Sequence, residues 1–290
     1  MPAKGRIELT KAPGRLQVVA TPIGNLSDLS ERARQALAEA DLIAAEDTRH
    51  TKGLLQAIGI SKPMTSLHAY NEGQRVRDLL ERLGGGEVIA LVSDAGTPLL
   101  SDPGFELVSA AAEAGFEVRV IPGPSAVTAA LAVAGLPTSR FCFEGFLPSR
   151  PRERRTELAR LAREPRTLVF FEAPHRVAQT LADLVSEFGG DRRAVVAREL
   201  TKAHETIYRG KLSELVKQAS DDANFQRGEL TLVIDGAQEE PGSVDTQLLK
   251  RAVELLAKEL PPGKAASIAA RLTGASRSAA YELLTRQRPE

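Results

Sequence analysis

Short apolar runs that end in loops of glycine, proline and small polar residues constrain the fold of this chain more than any other feature. Three such runs lie at 16–20, 88–92 and 117–121, and each leads through a loop into a stretch with helical spacing. Strands that alternate with helices at this spacing predict a parallel sheet covered by helices on both faces. We therefore predict an α/β domain over residues 1–140.

The helices of this domain are predicted from their caps and breakers. A helix over 27–40 has Ser27 or Ser30 as its N-cap, and a second strand over 41–45 follows it. Further helices are expected at 74–83, 105–114 and 125–134.

A second domain is expected over residues 141–236. Its strands are predicted at 167–171, 193–197 and 230–235, with helices between them, so this domain is also predicted to be α/β. Residues 238–243 have the composition of a linker.

The tail, residues 244–290, changes character. An amphipathic stretch over 246–260 is broken by two prolines and a glycine, and two short helices are predicted at 264–272 and 276–284. The spacing resembles a helix-turn-helix unit, and the eight basic and five acidic residues suit a weak nucleic-acid contact. A small helical bundle that only packs on the fold explains the same pattern.

Charge excludes a uniformly basic coat, because the chain has 38 Lys and Arg residues against 38 Asp and Glu residues. Any RNA must therefore meet a local patch. Seven arginines and three glutamates between 150 and 166 offer one, although a solvated helix face would look the same.

Other classes of site are disfavoured by composition. Cys142 is the single cysteine, and the four histidines show no metal-ligand spacing, so no metal is predicted. The longest mainly apolar stretch, 126–136, is 11 residues long and falls short of a membrane span, and no apolar signal core begins the chain. We expect a soluble cytoplasmic protein without a membrane partner.

Three loops are candidates for ligand binding because each follows the carboxyl end of a predicted parallel strand. They lie at 21–25, 93–98 and 122–125 and contain small residues that let a ligand approach the main chain. The glycine-rich phosphate motifs are missing, which disfavours a nucleotide held by its phosphates. Asp94 is predicted to accept hydrogen bonds from a ribose or amine, or else to cap a helix, and Ser125 opens a helix that could bind a carboxylate.

These loops and two later segments resemble the tetrapyrrole methylase superfamily of S-adenosylmethionine-dependent methyltransferases. The later segments are similar to its bacterial ribosomal RNA small-subunit methyltransferase subgroup, and together the motifs cover about residues 16–236. The segments that carry the resemblance are 20–26, 45–49, 93–104 and 121–126, and for the subgroup 170–176 and 197–205.

The resemblance implies two α/β domains with S-adenosyl-L-methionine in the cleft between them, and a homodimer; the small C-terminal helical domain is predicted from the residues of the tail alone. It also implies 2′-O-methylation of a cytidine ribose in the decoding region of 16S rRNA within the 30S subunit. The residues that it implies for cofactor binding are Asp94, Ala95, Gly96, Thr97, Ser125, Ala126, Phe171, Leu200 and Leu230.

Catalytic candidates lie at the end of the second strand, where Glu46, Asp47 and Arg49 would face the same crevice. A carboxylate there, or a cation that lowers the pKa of the ribose hydroxyl, would help to remove its proton. A surface salt bridge between Asp47 and Arg49 is the alternative, and the identity of the proton acceptor stays open.

A second set of polar residues is predicted to hold RNA or to fix the interface between the domains. For His175, a structural histidine is the alternative. The residues of this set are Glu172, His175, Arg198, Glu199, Lys202 and Glu205. Arg154 and Arg155, from the arginine cluster, are also predicted to contact the substrate.

Two other functions stay open on sequence alone. One is C-methylation of a precorrin-like ring, although residues 94–98 lack the Gly-Asp-Pro tripeptide of many corrin-building relatives. The other is a DNA-binding regulator that uses the helical tail.

Overall fold

The computed structural model describes residues 14–68, 72–238 and 246–286. The chain up to Gly236 forms one compact unit that contains two sheets, and the residues from Ala237 form a second unit. The division at residue 140 and the tail boundary at 244 stay predictions.

The first sheet has five parallel strands in the order β3-β2-β4-β1-β5. It confirms the predicted α/β class, and the two central strands pair in register from Arg15 opposite Val88. The strands are β1 (Arg15–Val19), β2 (Leu42–Ala45), β3 (Met64–Ser66), β4 (Val88–Val92) and β5 (Glu117–Ile121).

Helices cover both faces of this sheet. Leu37 and Leu55 pack on one face, whereas Leu83 and Leu107 pack on the other, and all four are buried. Burying such side chains contributes about 1.5–3 kcal/mol each. The helices are α1 (Glu31–Glu39), α2 (Thr48–Ala57), α3 (Glu72–Gly84), α4 (Phe105–Glu113) and α5 (Ala126–Ala134), with a short 3-10 helix at Leu26–Asp28 before α1.

The second sheet is mixed. Its order is β6-β7-β10-β8-β9, and only the β6–β7 pair is parallel. The strands are β6 (Phe141–Phe146), β7 (Thr167–Glu172), β8 (Arg193–Arg198), β9 (Thr206–Lys211) and β10 (Leu230–Ile234), and the helices are α6 (Pro151–Leu161), α7 (Val177–Phe188) and α8 (Leu212–Asp221).

The two faces of the second sheet have different partners. Leu158, Leu181 and Leu215 bring α6, α7 and α8 onto one face. The other face packs against α5, through Val127 and Leu131. Since α5 follows directly on the first sheet, this helix joins the two sheets into one unit.

The tail forms three helices, α9 (Thr246–Glu259), α10 (Pro262–Thr273) and α11 (Arg277–Arg286), as predicted. Small side chains such as Ala265 and Ala269 let the helices pack closely around Val253.

Several sequence predictions need correction. Ser30, and not Ser27, caps α1, since its hydroxyl accepts a hydrogen bond of 3.1 Å from the N–H of Ala33. Asp94 does not cap a helix, because the loop that it begins runs on to the start of α4 at Phe105. The sequence reading missed four elements, α2, β3, β6 and β9.

Of the described helices, none is long and apolar enough to span a bilayer.

Candidate active site in a cleft between the two sheets

The three candidate loops lie side by side because β4, β1 and β5 are neighbours in the first sheet. The N–H of Thr21 donates to the carbonyl of Gly96 at 2.9 Å, and the N–H of Gly96 donates back at 3.1 Å. The hydroxyl of Thr97 donates to the carbonyl of Pro124 at 3.1 Å. The loops therefore form one hydrogen-bonded edge.

A glycine is required where these loops meet. Gly96 has a φ of +84°, and a Cβ there would lie 3.2 Å from Cγ2 of Ile23. Both the backbone conformation and the space exclude a larger side chain. This lets the 93–98 loop lie directly against the loop after β1.

A cavity of about 400 Å³ opens beside this edge, with walls from both sheets. All nine residues that the sequence implicated in cofactor binding line it. From the first sheet come Ile23, Glu46, Asp94, Ala95, Gly96, Thr97, Leu100, Ser101, Asp102, Ser125 and Ala126, and from the second Phe146, Phe171, Glu172, Ala173, Pro174, Ala197, Leu200, Gly228, Glu229, Leu230 and Thr231.

One wall of the cavity is aromatic and apolar. The ring of Phe171 lies 5.6 Å from that of Phe146, and Leu200 and Leu230 are buried beside it. Such a surface suits the flat face of a heterocycle.

The loop after β4 holds unusual backbone conformations. Leu99 and Ser101 have φ values of +75° and +71°, which side-chain-bearing residues adopt only when the surroundings impose them. Glu72, at the start of α3, supplies part of that constraint. Its Oε1 accepts hydrogen bonds from the N–H groups of Gly104 at 3.0 Å and Glu106 at 2.9 Å.

Three carboxyl groups gather at one end of the cavity, from Glu46, Asp94 and Asp102. The N–H of Asp94 donates to Oε2 of Glu46 at 3.4 Å. Burial, together with repulsion from Asp94 and Asp47, raises the pKa of Glu46, although the backbone hydrogen bond opposes it. Burial raises the pKa of Asp102 to about 6, aided by the charges of Glu46 and Asp94 and opposed by a hydrogen bond from Ser93. Both groups are therefore stronger bases than ordinary carboxylates.

Asp47 forms the contact with Arg49 that the sequence analysis left open as the alternative to a catalytic role. Its Oδ1 accepts hydrogen bonds from the N–H of Arg49 at 2.8 Å, which caps α2, and from Nε of the same residue at 3.1 Å. These bonds lower the pKa of Asp47 to about 2, so its carboxylate is a weak base. Since Asp47 also lies outside the cavity lining, its geometry argues against it as the proton acceptor. The predicted contact between Asp47 and Arg49 does form, at 2.7 Å.

A second cavity, of about 490 Å³, lies on the other side of Asp94. Arg49 lines it and does not line the first cavity. Its walls are formed by Thr21, Pro22, Gly24, Asn25, Leu26, Arg49, His50, Gly53, Leu54 and Asp94.

The predicted RNA-binding set divides into buried and exposed members. The prediction for Arg154 is wrong, because its side chain is 3% exposed and forms an ion pair of 2.7 Å with Asp183. Arg198 is also buried, and it donates to the carbonyls of Arg227 and His204, so it fixes loops instead of facing a substrate.

Glu172 is buried at the cavity wall, where it accepts a hydrogen bond of 2.5 Å from Thr180 and pairs with Arg176 at 3.2 Å. Lys202 pairs with Glu199 at 2.9 Å and with Glu229 at 3.2 Å.

Arg155 and His175 are exposed and free to contact a macromolecule.

The sequence reading gave no role to several lining residues. Asp102 lies within the Ser-Asp-Pro-Gly segment at 101–104, so its position beside a candidate loop was the available signal. Phe146 was missed together with its strand, β6. Within the described ranges, no group of three or more His, Cys, Asp or Glu side chains is arranged to hold a metal ion.

Comparison with known proteins decides the family. The family described as Tetrapyrrole (Corrin/Porphyrin) Methylases matches residues 15–216. The chain belongs to the tetrapyrrole methylase family. Within this methylase family, the RsmI C-terminal HTH domain matches residues 243–288, where the structure has α9, α10 and α11.

Two relatives within this methylase family share the name ribosomal RNA small subunit methyltransferase I. The protein from Xylella fastidiosa (strain Temecula1) is 53% identical over 93% of this chain and 98% of its own length. The protein from Escherichia coli O157:H7 is 48% identical over 94% of this chain and 96% of its own length.

Solved structures of methyltransferases share the fold. The methyltransferase CobJ matches with a TM-score of 0.58 and 24% identity, over 77% of this chain and 95% of that chain. Uroporphyrin-III C-methyltransferase from Thermus thermophilus, complexed with S-adenosyl homocysteine, matches with a TM-score of 0.52 and 20% identity, over 76% of this chain and 97% of that chain.

Proposed function

We propose that this protein is an S-adenosylmethionine-dependent methyltransferase that methylates the 2′-oxygen of a cytidine ribose in the decoding region of 16S rRNA, within the 30S subunit. One observation carries the proposal: the likeness to relatives named ribosomal RNA small subunit methyltransferase I extends over 93% of this chain, tail included.

The first cavity fits S-adenosylmethionine in size and chemistry. Its volume of about 400 Å³ lies in the range of small-molecule sites. Phe171, Leu200 and Leu230 would contact the adenine ring, and the main chain at 94–97 would approach the ligand closely.

The charged and polar groups that line the cavity support the same assignment. The carboxyl groups of Glu46, Asp94 and Asp102 suit a cationic ligand. No side chain caps the N-terminus of α5 at Ser125, so backbone N–H groups from Ala126 onward can bind a carboxylate there.

When bound, S-adenosylmethionine supplies a methyl group on a sulfonium, which an oxygen nucleophile takes up by in-line displacement. The protein has to hold the ribose hydroxyl within about 3–3.5 Å of that carbon. Glu46 and Asp102 are placed to accept the hydroxyl proton, since burial makes both better bases at neutral pH.

RNA binding is assigned to exposed cations outside the cavities. On α6, the side chains of Arg150 and Arg160 are 81% and 74% exposed, and Arg155 lies on the same helix. Exposed His175 lies in the same unit as these arginines, and the tail adds basic residues of its own. Phosphate contacts of this kind weaken steeply with added salt.

We also propose a homodimer, because large apolar side chains remain exposed on the single chain. Phe105 is 70% exposed and Val120 64%. Sedimentation would show a species of twice the chain mass if these side chains are covered by a second copy.

The experiment that tests the function is methyl transfer to 30S subunits that lack the modification. Full-length protein and S-adenosylmethionine with a labelled methyl group should place the label on a cytidine ribose, identified after digestion to nucleosides. If the protein binds S-adenosylmethionine tightly but does not label the subunits, the proposal of an RNA substrate is wrong. Methyl transfer to a precorrin would instead favour a tetrapyrrole substrate.

The cofactor site is tested separately by Asp94→Ala. Loss of this carboxylate is expected to weaken S-adenosylmethionine binding at least about tenfold in a calorimetric titration, as for the loss of a charged hydrogen bond. Asp78→Ala, on the exposed side of α3, serves as control. Unchanged affinity in Asp94→Ala would show that the cofactor binds elsewhere.

A further inference from the structure

The two cavities share Asp94 and are lined by neighbouring residues of the same loops. Asp94 lines both of them. The loop after β1 turns Ile23 to the first cavity and Pro22 and Gly24 to the second. The segment after β2 does the same, with Glu46 on one side and Arg49 on the other.

Methyl transfer needs two adjoining sites. The acceptor oxygen has to come within about 3–3.5 Å of the methyl carbon, so the acceptor must reach the donor through a shared boundary. The first cavity, at about 400 Å³, is near the lower end of small-molecule sites, and a nucleoside-bearing cofactor fills it. The second cavity adjoins the first at its acidic end.

The lining of the second cavity suits one nucleotide of an RNA chain. Pro22, Leu26 and Leu54 give it apolar walls for a ribose and base. Arg49 and His50 stand at its rim, and the Arg49 side chain is 90% exposed despite its ion pair with Asp47. Cations at the rim of an apolar cleft match phosphates that flank a buried sugar.

The alkyl part of Lys202, from the second sheet, lies against Gly24 at the edge of this cavity. The second sheet therefore also reaches the loop at Gly24, which lines this cavity.

We propose that the second cavity receives the nucleotide to be methylated, with its ribose toward Asp94 and its flanking phosphates at Arg49 and His50. This inference rests on the proposed function and adds the place of the acceptor.

The face of α2 that lines this cavity offers a test that leaves the first cavity untouched. Gly53 lies inside the helix with open space around its missing side chain: nothing lies within 4 Å of a Cβ built there. Replacing glycine by leucine inside a helix stabilises the helix by up to about 1 kcal/mol. Gly53→Leu should therefore fold and fill part of the cavity.

Gly53→Leu in the full-length protein is expected to lower kcat/KM for unmodified 30S subunits by at least about tenfold, as misplacement of an acceptor does. Its affinity for S-adenosylmethionine and its unfolding temperature should stay at the wild-type values. Gln56→Leu places the same leucine side chain at an exposed position of α2 outside both cavities and should leave methylation unchanged.

Leu26→Trp is a second variant that fills the same cavity from a different lining residue, and it serves as the test if Gly53→Leu does not fold. Wild-type kcat/KM in a folded variant of either kind would overturn the inference, as would weaker S-adenosylmethionine binding in both. A wild-type protein that binds cofactor but leaves the subunits unlabelled would instead overturn the proposed function, and this inference with it.

Discussion

Asp102 shows how the cavity changes the chemistry of a single side chain. Its carboxyl group is partly buried and faces the charges of Glu46 and Asp94, so its pKa rises to about 6. Between pH 4 and 6 the folded state then binds more protons at this residue than the unfolded state does. The stability of the protein therefore falls as pH rises through this window.

Asp102→Asn is expected to remove this pH dependence. At pH 8 the variant should exceed the wild type in stability by about 1–2 kcal/mol, after allowance for solvent screening, whereas near pH 4 the difference should vanish. Thermal unfolding across this pH range measures it, with Asp78→Asn as a surface control. A stability difference that is independent of pH would contradict the shifted pKa.

Arg154 shows where sequence reasoning at the residue scale failed. It belongs to a run of arginines, and nothing in the composition separates it from Arg155. The available signal was its spacing of four residues from Leu158, which places both on the buried face of α6. Its partner, Asp183, lies 29 residues away on α7, and no local sequence pattern indicates that pairing.

Arg154→Ala is expected to destabilise the fold by about 3–5 kcal/mol, because it leaves Asp183 charged and unpaired inside the protein. Urea unfolding measures the loss. Arg155→Ala, its exposed neighbour, should leave stability unchanged and reduce the affinity for 30S subunits at low salt. Equal stability of the two variants would contradict the buried ion pair.

At the scale of elements, the loop between β4 and α4 depends on a different helix. No side chain of its own caps α4, since Gly104 stands at the N-cap, and Glu72 of α3 binds the open N–H groups instead. This contact fixes the end of the loop that carries Asp94, Ser101 and Asp102.

Glu72→Ala is expected to cost about 2 kcal/mol, as for the loss of a helix cap at a buried site. It should also weaken S-adenosylmethionine binding, because the loop loses its support. Urea unfolding and calorimetric titration test the two effects, with Glu113→Ala, an exposed residue of α4, as control. If Glu72→Ala is destabilised but keeps the wild-type affinity for S-adenosylmethionine, the contact of Glu72 with the loop does not support cofactor binding.

Most of the first sheet could be predicted, because its buried strands are apolar runs between glycine and proline loops. The missed strands are short or lie at edges. β3 has three residues, and β6 and β9 border the second sheet with many exposed positions, so their apolar pattern is weak. The cavity wall at Phe146 was missed together with β6, whereas all nine residues that the resemblance implied for cofactor binding do line the cavity.

At the scale of the whole molecule, the tail is a compact unit of its own, with a separate core around Val253. The cofactor cavity lies entirely in the other unit. The two tasks that we propose, cofactor binding and RNA binding, can therefore be separated by truncation.

A chain that ends at residue 236 is expected to bind S-adenosylmethionine within about twofold of the full-length affinity, and to need about tenfold more 30S subunits for half-maximal rate, since it loses basic residues. The dependence of that rate on salt should also weaken. If the affinity for 30S subunits is unchanged, the tail does not bind RNA and has only a structural role. A loss of duplex-DNA binding in the truncated chain would instead support a regulator that binds DNA through the tail.

The path of the chain from β5 to α5 limits how far the cleft can open. β5 ends at Ile121 in the first sheet, and α5 begins at Ala126 and packs against the second. Four residues connect Ile121 to Ala126, so even a fully extended linker keeps these two residues within about 18 Å of each other. This linker includes Ser125, the N-cap of α5. If the two sheets move apart to release the product of the cofactor, the helix N-terminus that we propose binds its carboxylate therefore has to move as well.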